Sequence, residues 1–226
     1  ITISATNLSL FLPVIFIFTH DSVYVGEDGP THQPIEQLES LRIIPNLQVI
    51  RPADNDEVKV AWQNILEKEK GPTTLILTRQ KLPLLEKHQD ISKISRGGYI
   101  VYEGTKNPGV VISASGSEVE TALKVRNILE REDISCRVIS IPDRETFAGQ
   151  DFKYKESILS LKKSLQVVIE AATGQGWYEV IPGLSIGIFI RRFGESGPGE
   201  QVAAFMGLEP EKIAGIILER FKSKKR

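Results

Sequence analysis

The sequence predicts an α/β protein of two units, each a mainly parallel sheet covered by helices. Three observations carry that prediction. Apolar runs fall on consecutive rather than alternate residues, beginning with Pro13-Val14-Ile15-Phe16-Ile17-Phe18, as in strands buried on both faces of a helix-covered sheet. Segments of helical period separate those runs, and strand–helix alternation marks α/β architecture. A charged stretch at 81–98, with Pro83 and His88 and ending in Arg96-Gly97-Gly98, breaks the pattern, as a linker between compact units does.

The elements follow in order. Pro34 suits the first turn of a helix that buries Ile35, Leu38 and Leu41. Runs at 47–50 and 74–77 are the next strands. Between them Asp54 has the character of an N-cap, with Glu57 three residues on, and Val58, Ala61 and Ile65 share one face. Beyond the linker, strands are expected at 110–113, 134–141 and 165–169, with a helix opening at Ser115-Gly116-Ser117-Glu118 and running through Leu123 to Ile128. The basic tail at 222–226 is a solvated helix end. This places the first unit at 1–84, the linker at 85–97 and the second unit at 98–226.

The chain has 226 residues, 41% hydrophobic and 25% charged, with a net charge of −1 and a pI near 6.4. That composition suits a globular core without disulfides and points away from nucleic-acid or membrane partners. The early apolar stretch at 8–18 is interrupted by Ser9 and Pro13 and lacks a basic flank. It is too short for a membrane span and wrong for a secretion signal. With Ile1 first, it reads as a strand arriving mid-fold, and the chain as part of a longer one. The single cysteine, Cys136, excludes an internal disulfide and a multi-cysteine zinc site. Inside its apolar run it is expected to be a buried structural thiol, which fits the cytoplasm.

Chemistry concentrates at 20–34, where two of the three histidines lie. His20 follows the first strand directly, and open α/β sheets bind ligands beyond the carboxyl ends of their strands. Gly26 and Gly29 permit tight turning. Asp28 and His32 then fall on a loop leading into the Pro34 helix, whose N-terminus favours anions. The same residues also suit plain structure: a hydrogen-bonded histidine, an aspartate in a turn, a capping side chain.

The segment Thr19-His20-Asp21-Ser22 with Gly26-Glu27-Asp28-Gly29-Pro30-Thr31-His32-Gln33-Pro34 resembles the transketolase signature almost residue for residue. The resemblance continues through Arg51-Pro52-Ala53-Asp54 and Leu77-Thr78-Arg79-Gln80-Lys81-Leu82-Pro83. It resumes at Gly97-Gly98-Tyr99, Ala114-Ser115-Gly116-Ser117-Glu118-Val119 and Phe193-Gly194-Glu195-Ser196-Gly197-Pro198. Transketolases use thiamine diphosphate to move a two-carbon ketol unit from a ketose phosphate to an aldose phosphate in the pentose phosphate pathway. The resemblance implies that residues 1–84 are the rear of the pyrimidine-binding domain and 98–226 the C-terminal domain.

By motif match, His20 and Arg79 bind the sugar phosphate, Asp28 bonds a substrate hydroxyl and selects its configuration, and His32 stands beside the reacting carbon as the catalytic residue. The resemblance puts the cofactor-activating glutamate, the pyrimidine pocket, the diphosphate site and the ligands for Mg2+ (or Ca2+) in a portion N-terminal to this chain. This chain alone is then expected to hold neither cofactor nor metal and to be inactive. Sugar phosphates, a homodimer partner and the missing N-terminal portion are its expected partners. A related thiamine enzyme such as dihydroxyacetone synthase, a natural split subunit, and a non-catalytic binding or dimerisation module are the alternatives. Tyr24 departs from the small residue common in the family and is expected to narrow the channel mouth. Residues 1–12 match the family helix poorly. Ser115-Gly116-Ser117 lacks the full glycine fingerprint of a phosphate loop and reads as a plain strand–helix turn. Phe193-Gly194-Glu195-Ser196 reads as an interface or packing motif.

Overall fold

The computed structural model describes residues 12–67, 71–86 and 91–224; the expectations for residues 1–11, for His88 and for residues 225–226 lie outside the described residues. In the first unit β1 (Ile15–Phe18) is followed by a 3-10 turn at Val23–Asp28, α1 (Gln37–Arg42), β2 (Gln48–Ile50), α2 (Asn55–Glu67) and β3 (Thr73–Ile76). The three strands form one parallel sheet in the order β1-β3-β2. Central β3 is buried throughout, its two threonines included. β1 differs from the expectation of two buried faces: Ile15 and Ile17 are 37% and 50% exposed. It is an edge strand among the described residues, and only the face carrying the stacked pair Phe16 and Phe18 packs inward.

α2 begins as its sequence predicts. Asp54 Oδ1 accepts the Glu57 N–H at 3.0 Å, and Glu57 Oε2 accepts the Ala53 N–H at 2.7 Å, which is a reciprocal capping box shifted by one residue. Ala61 and Ile65 are buried and Val58 is half-buried. α1 begins later than expected. Pro34 lies ahead of it, and the Gln37 side chain accepts the Ile35 N–H at 2.8 Å, so a side chain closes the turn where the proline was expected to open the helix. Ile35, Leu38 and Leu41 are nonetheless buried.

The second unit runs β4 (Tyr99–Glu103), β5 (Val110–Ala114), α3 (Glu118–Arg131), β6 (Cys136–Ser140), α4 (Arg144–Ala148), α5 (Phe152–Leu159), β7 (Leu165–Glu170), α6 (Trp177–Val180), β8 (Leu184–Phe189), α7 (Gly199–Ala203) and α8 (Pro210–Lys224). Its sheet order is β4-β6-β5-β7-β8, with β4 antiparallel and the rest parallel. β5, β6 and β7 are buried along their whole length, as consecutive apolar residues require when helices cover both faces. On one face Val110, Ile112 and Ala114 meet Val119, Val125 and Leu129 of α3 and Ile213 and Ile217 of α8. On the other, Val111, Ile139 and Val168 meet Phe147, Leu159 and Trp177. Cys136 is fully buried on β6, its Sγ 3.3 Å from the Ile134 carbonyl, and burial pushes its thiol up to about 12. It is a structural thiol.

The segment joining the units is packed down. A 3-10 turn spans Ile91–Arg96, and Leu85 and Ile94 are buried in the same cluster as Val23, Ile35 and Ala53 of the first unit and the α3 face of the second. The two units therefore share one apolar core.

Candidate functional site

A charged seam buried between the units fixes the ground beneath the candidate site. Arg51, 1% exposed, donates through Nε to Asp21 Oδ2 at 2.7 Å, through Nη1 to the Ser115 carbonyl at 2.7 Å and also to Glu118. Burial works against its charge, but Asp21 and Glu118 outweigh that and hold the guanidinium protonated more firmly than in water. Arg42 grips Glu170 with two hydrogen bonds of 2.7 and 2.9 Å, and Arg144 grips Glu39 with two of 2.8 and 2.9 Å. Although burial alone raises the Glu170 carboxyl, the Arg42 guanidinium overrides it and holds the group at about 2. Glu57 accepts the Tyr99 hydroxyl at 2.8 Å. Apart from the Arg51–Asp21 pair, which lies within the first unit, each of these ties one unit to the other, so most of these desolvated charges find their partners only when both units are in place.

The seam also decides the Ser115-Gly116-Ser117 turn. The Gly116 φ is +56°, and a Cβ there would lie 2.7 Å from Arg51 Cζ. The guanidinium fills the space where a phosphate would sit, so the turn is a strand–helix connection, as the missing glycine fingerprint predicts.

Above the seam stand the four residues singled out by sequence. His20 follows β1 and Arg79 follows β3; these strands are parallel neighbours, with Phe18 opposite Ile76 and the Leu77 N–H continuing the pairing to the Phe18 carbonyl at 2.8 Å. Both side chains are exposed beyond the carboxyl edge of the sheet, where such folds place ligands. His20 has a φ of +64°, a conformation costly for a residue other than glycine and concentrated at functional positions. Its Nδ1 lies 2.9 Å from Thr19 Oγ1. Asp28 and His32 stand on the loop that continues from β1, and both are exposed. Hydrogen bonds from the Gly29 N–H to the Gly26 carbonyl and from the His32 N–H to the Gly29 carbonyl, each 3.0 Å, wind that loop. The structure thus brings His20 and Arg79 to one sheet edge and Asp28 and His32 to the adjoining loop. None of the four lines any of the five best-formed cavities. They form an open wall.

Beside the wall Tyr24 is half-buried and lines a cavity of about 120 Å³ with Gln80, Lys81 and Leu82 of the segment following β3. The motif Phe193-Gly194-Glu195-Ser196 packs under the loop: Gln33 Nε2 reaches the Glu195 carbonyl at 2.8 Å and Ser196 Oγ the Glu27 carbonyl at 3.0 Å. Arg42, Arg51, Glu39, Glu118 and Glu170 carry no role of their own in the sequence expectations, although Arg51 and Glu118 lie within motifs quoted there. No local pattern marks a charge that is paired across the units. Among the described residues no group of three or more His, Cys, Asp or Glu side chains could hold a metal ion, and no helix is long and apolar enough to cross a membrane.

Fold and site together define a two-unit α/β module that presents histidines, a carboxylate and an arginine at the carboxyl edge of a parallel sheet. The comparisons give that class its family. Residues 7–84 match the transketolase pyrimidine binding domain, and residues 97–209 match the transketolase-like C-terminal domain. The chain belongs to the transketolase family. The transketolase of Aquifex aeolicus is 42% identical over 214 residues, covering 94% of this chain and 31% of the relative. That of Buchnera aphidicola is 44% identical over 223 residues, covering 97% and 34%. The chain thus spans about a third of the length of these relatives. The transketolase of Pichia stipitis, solved as a complex with sedoheptulose-7-phosphate, superposes with a TM-score of 0.88 at 36% identity, covering 95% of this chain and 31% of that one. A split gene transketolase, solved as an inactive beta4 tetramer, shares the fold with a TM-score of 0.68 at 20% identity, covering 92% and 66%.

Proposed function

We propose that this chain supplies the substrate-facing wall of a thiamine-diphosphate-dependent transketolase, which transfers a two-carbon ketol group between sugar phosphates. The observation that carries the reading is the placement of His20 and Arg79 on adjacent strand ends beside the loop bearing Asp28 and His32, all four exposed. Arg79 offers a permanently charged planar fork matched to phosphate oxygens, with His20 as its neighbour on the same sugar phosphate. Asp28 accepts from a substrate hydroxyl and so disfavours the epimer that leaves its charge unpaired. His32 carries or donates a proton beside the reacting carbon.

Thiamine diphosphate, when bound, supplies the carbon–carbon bond chemistry. The described residues offer no cluster of metal ligands for its diphosphate. The cofactor, with Mg2+ or Ca2+, is assigned to the N-terminal portion that the longer relatives possess, in the same or a separate chain. The working enzyme is then a cytoplasmic homodimer, and this chain alone is inactive.

The test joins this chain to the N-terminal two thirds of the Aquifex aeolicus transketolase and assays ketol transfer with thiamine diphosphate and Mg2+. Transfer is expected, with Arg79→Ala raising KM for sugar phosphates about tenfold or more while leaving it near normal for a donor without phosphate. A well-folded fusion without transfer, or an Arg79→Ala effect equal on both donors, rejects the reading.

A further inference from the structure

We propose that the C-terminal unit sets the position of Asp28 and His32 through a strap centred on Gln33, which makes Gln33 a positioning residue for substrate selection; the proposal rests on the roles given to Asp28 and His32 above. Asp28 and His32 are exposed, but Gln33 beside them is 5% exposed. Its Nε2 donates to the Gly26 carbonyl and to the Glu195 carbonyl, each at 2.8 Å. Both partners are acceptors only, so the amide has one orientation and both its hydrogens are used. Glu195 belongs to the second unit, 162 residues away.

Three further contacts make the strap tight. A Cβ at Gly194 would come within 1.5 Å of Gln33 Oε1, so any side chain there displaces the amide. Ser196 Oγ donates to the Glu27 carbonyl at 3.0 Å. Gly26, at φ +76°, faces Gly199 so closely that a Cβ on it would lie 2.9 Å from the Gly199 nitrogen; one on Gly199 would lie 2.7 Å from the Tyr24 carbonyl oxygen. Residues 24–33 are thereby fastened on both sides of Asp28. Val25 is buried at the start of this segment, and two backbone turns and a Thr31–His32 contact order it locally, but Asp28 and His32 themselves stay exposed, and exposed loops move on nanosecond to microsecond scales. Displacement of a reacting group by about 1 Å costs up to about a hundredfold in rate. The second unit thus acts on substrate choice through the loop, without touching substrate.

The test uses Gln33→Met, which keeps bulk and removes both donors, and Ser196→Ala on the surface. In the 226-residue chain, hydrogen exchange at the Gly29 and His32 amides is expected to speed up about tenfold in Gln33→Met and more modestly in Ser196→Ala, with β5 and α3 unchanged. In the fused enzyme Gln33→Met is expected to lower kcat/KM about tenfold for fructose 6-phosphate. For hydroxypyruvate, which offers Asp28 no hydroxyl at the selected position but still reacts beside His32, the loss is expected to be smaller, about threefold. Unchanged exchange in both variants overturns the strap, and equal losses on the two donors overturn its role in selection. A fused enzyme inactive without any substitution counts against the proposed function, while the exchange result still decides the strap.

Discussion

At the residue scale Arg51 is the most consequential side chain in the molecule. It balances Asp21 and Glu118 and closes the turn around Gly116. Arg51→Leu leaves two carboxylates buried without their cation and is expected to destabilise the chain by about 3–5 kcal/mol, read from urea unfolding midpoints. Glu170 carries the acid response. Its folded value of about 2 lies below the ordinary 4.5, so its stabilisation is complete above that ordinary value and drains away as pH falls toward 2. Glu118 and Glu57 run the other way. Burial raises both, so they bind protons more readily folded than unfolded and favour the fold as pH falls, offsetting part of the loss. Thermal melts between about pH 5 and 3 are therefore expected to fall less steeply in Glu170→Gln than in the unsubstituted chain.

At the element scale α2 gives the sharpest test of local sequence chemistry. Asp54 caps the helix through Oδ1 and accepts the Leu85 N–H through Oδ2 at 3.1 Å. Asp54→Ala is expected to cost about 1–2 kcal/mol in calorimetric or urea unfolding. That cap was legible because Asp54 and Glu57 are three residues apart and each accepts a backbone N–H within the same turn; so were β5, β6 and β7, whose apolar runs need no partner to be recognised. β4 and β8 were not. β4 pairs antiparallel with a register shift between Ile100 and Tyr102, and β8 is mostly half-buried at a sheet edge. Each takes its form from its neighbour rather than its own residues. The exposed side of β1 was hidden for the same reason, since edge or centre is a property of the sheet. At the candidate site the residue types of His20, Asp28, His32 and Arg79 were readable as motif, but the contacts of Gln33 and Ser196 that fasten the Asp28–His32 loop span 162 and 169 residues, which no local pattern encodes.

At the scale of the whole molecule, a shared core and a buried seam make two sequence units one folding unit. Neither unit can open without exposing apolar surface and stranding charges in the other, so the transition is expected to be all-or-none. One tryptophan reports on each unit: Trp62 packs against Ile65 and Leu75 in the first, and Trp177 is fully buried in the second. Single-tryptophan variants, Trp62→Phe and Trp177→Phe, should give coincident urea midpoints by fluorescence. Midpoints that separate by more than the experimental error would mean that the units melt independently. Cys136 adds a consequence of its own. The sole thiol of the chain is sealed in an interior strand and kept in its unreactive protonated form, so an alkylating reagent reaches it only in molecules that have come apart. The native chain therefore carries its own clock. The rate of mass gain from one added label, in buffer without denaturant, measures how often this protein opens.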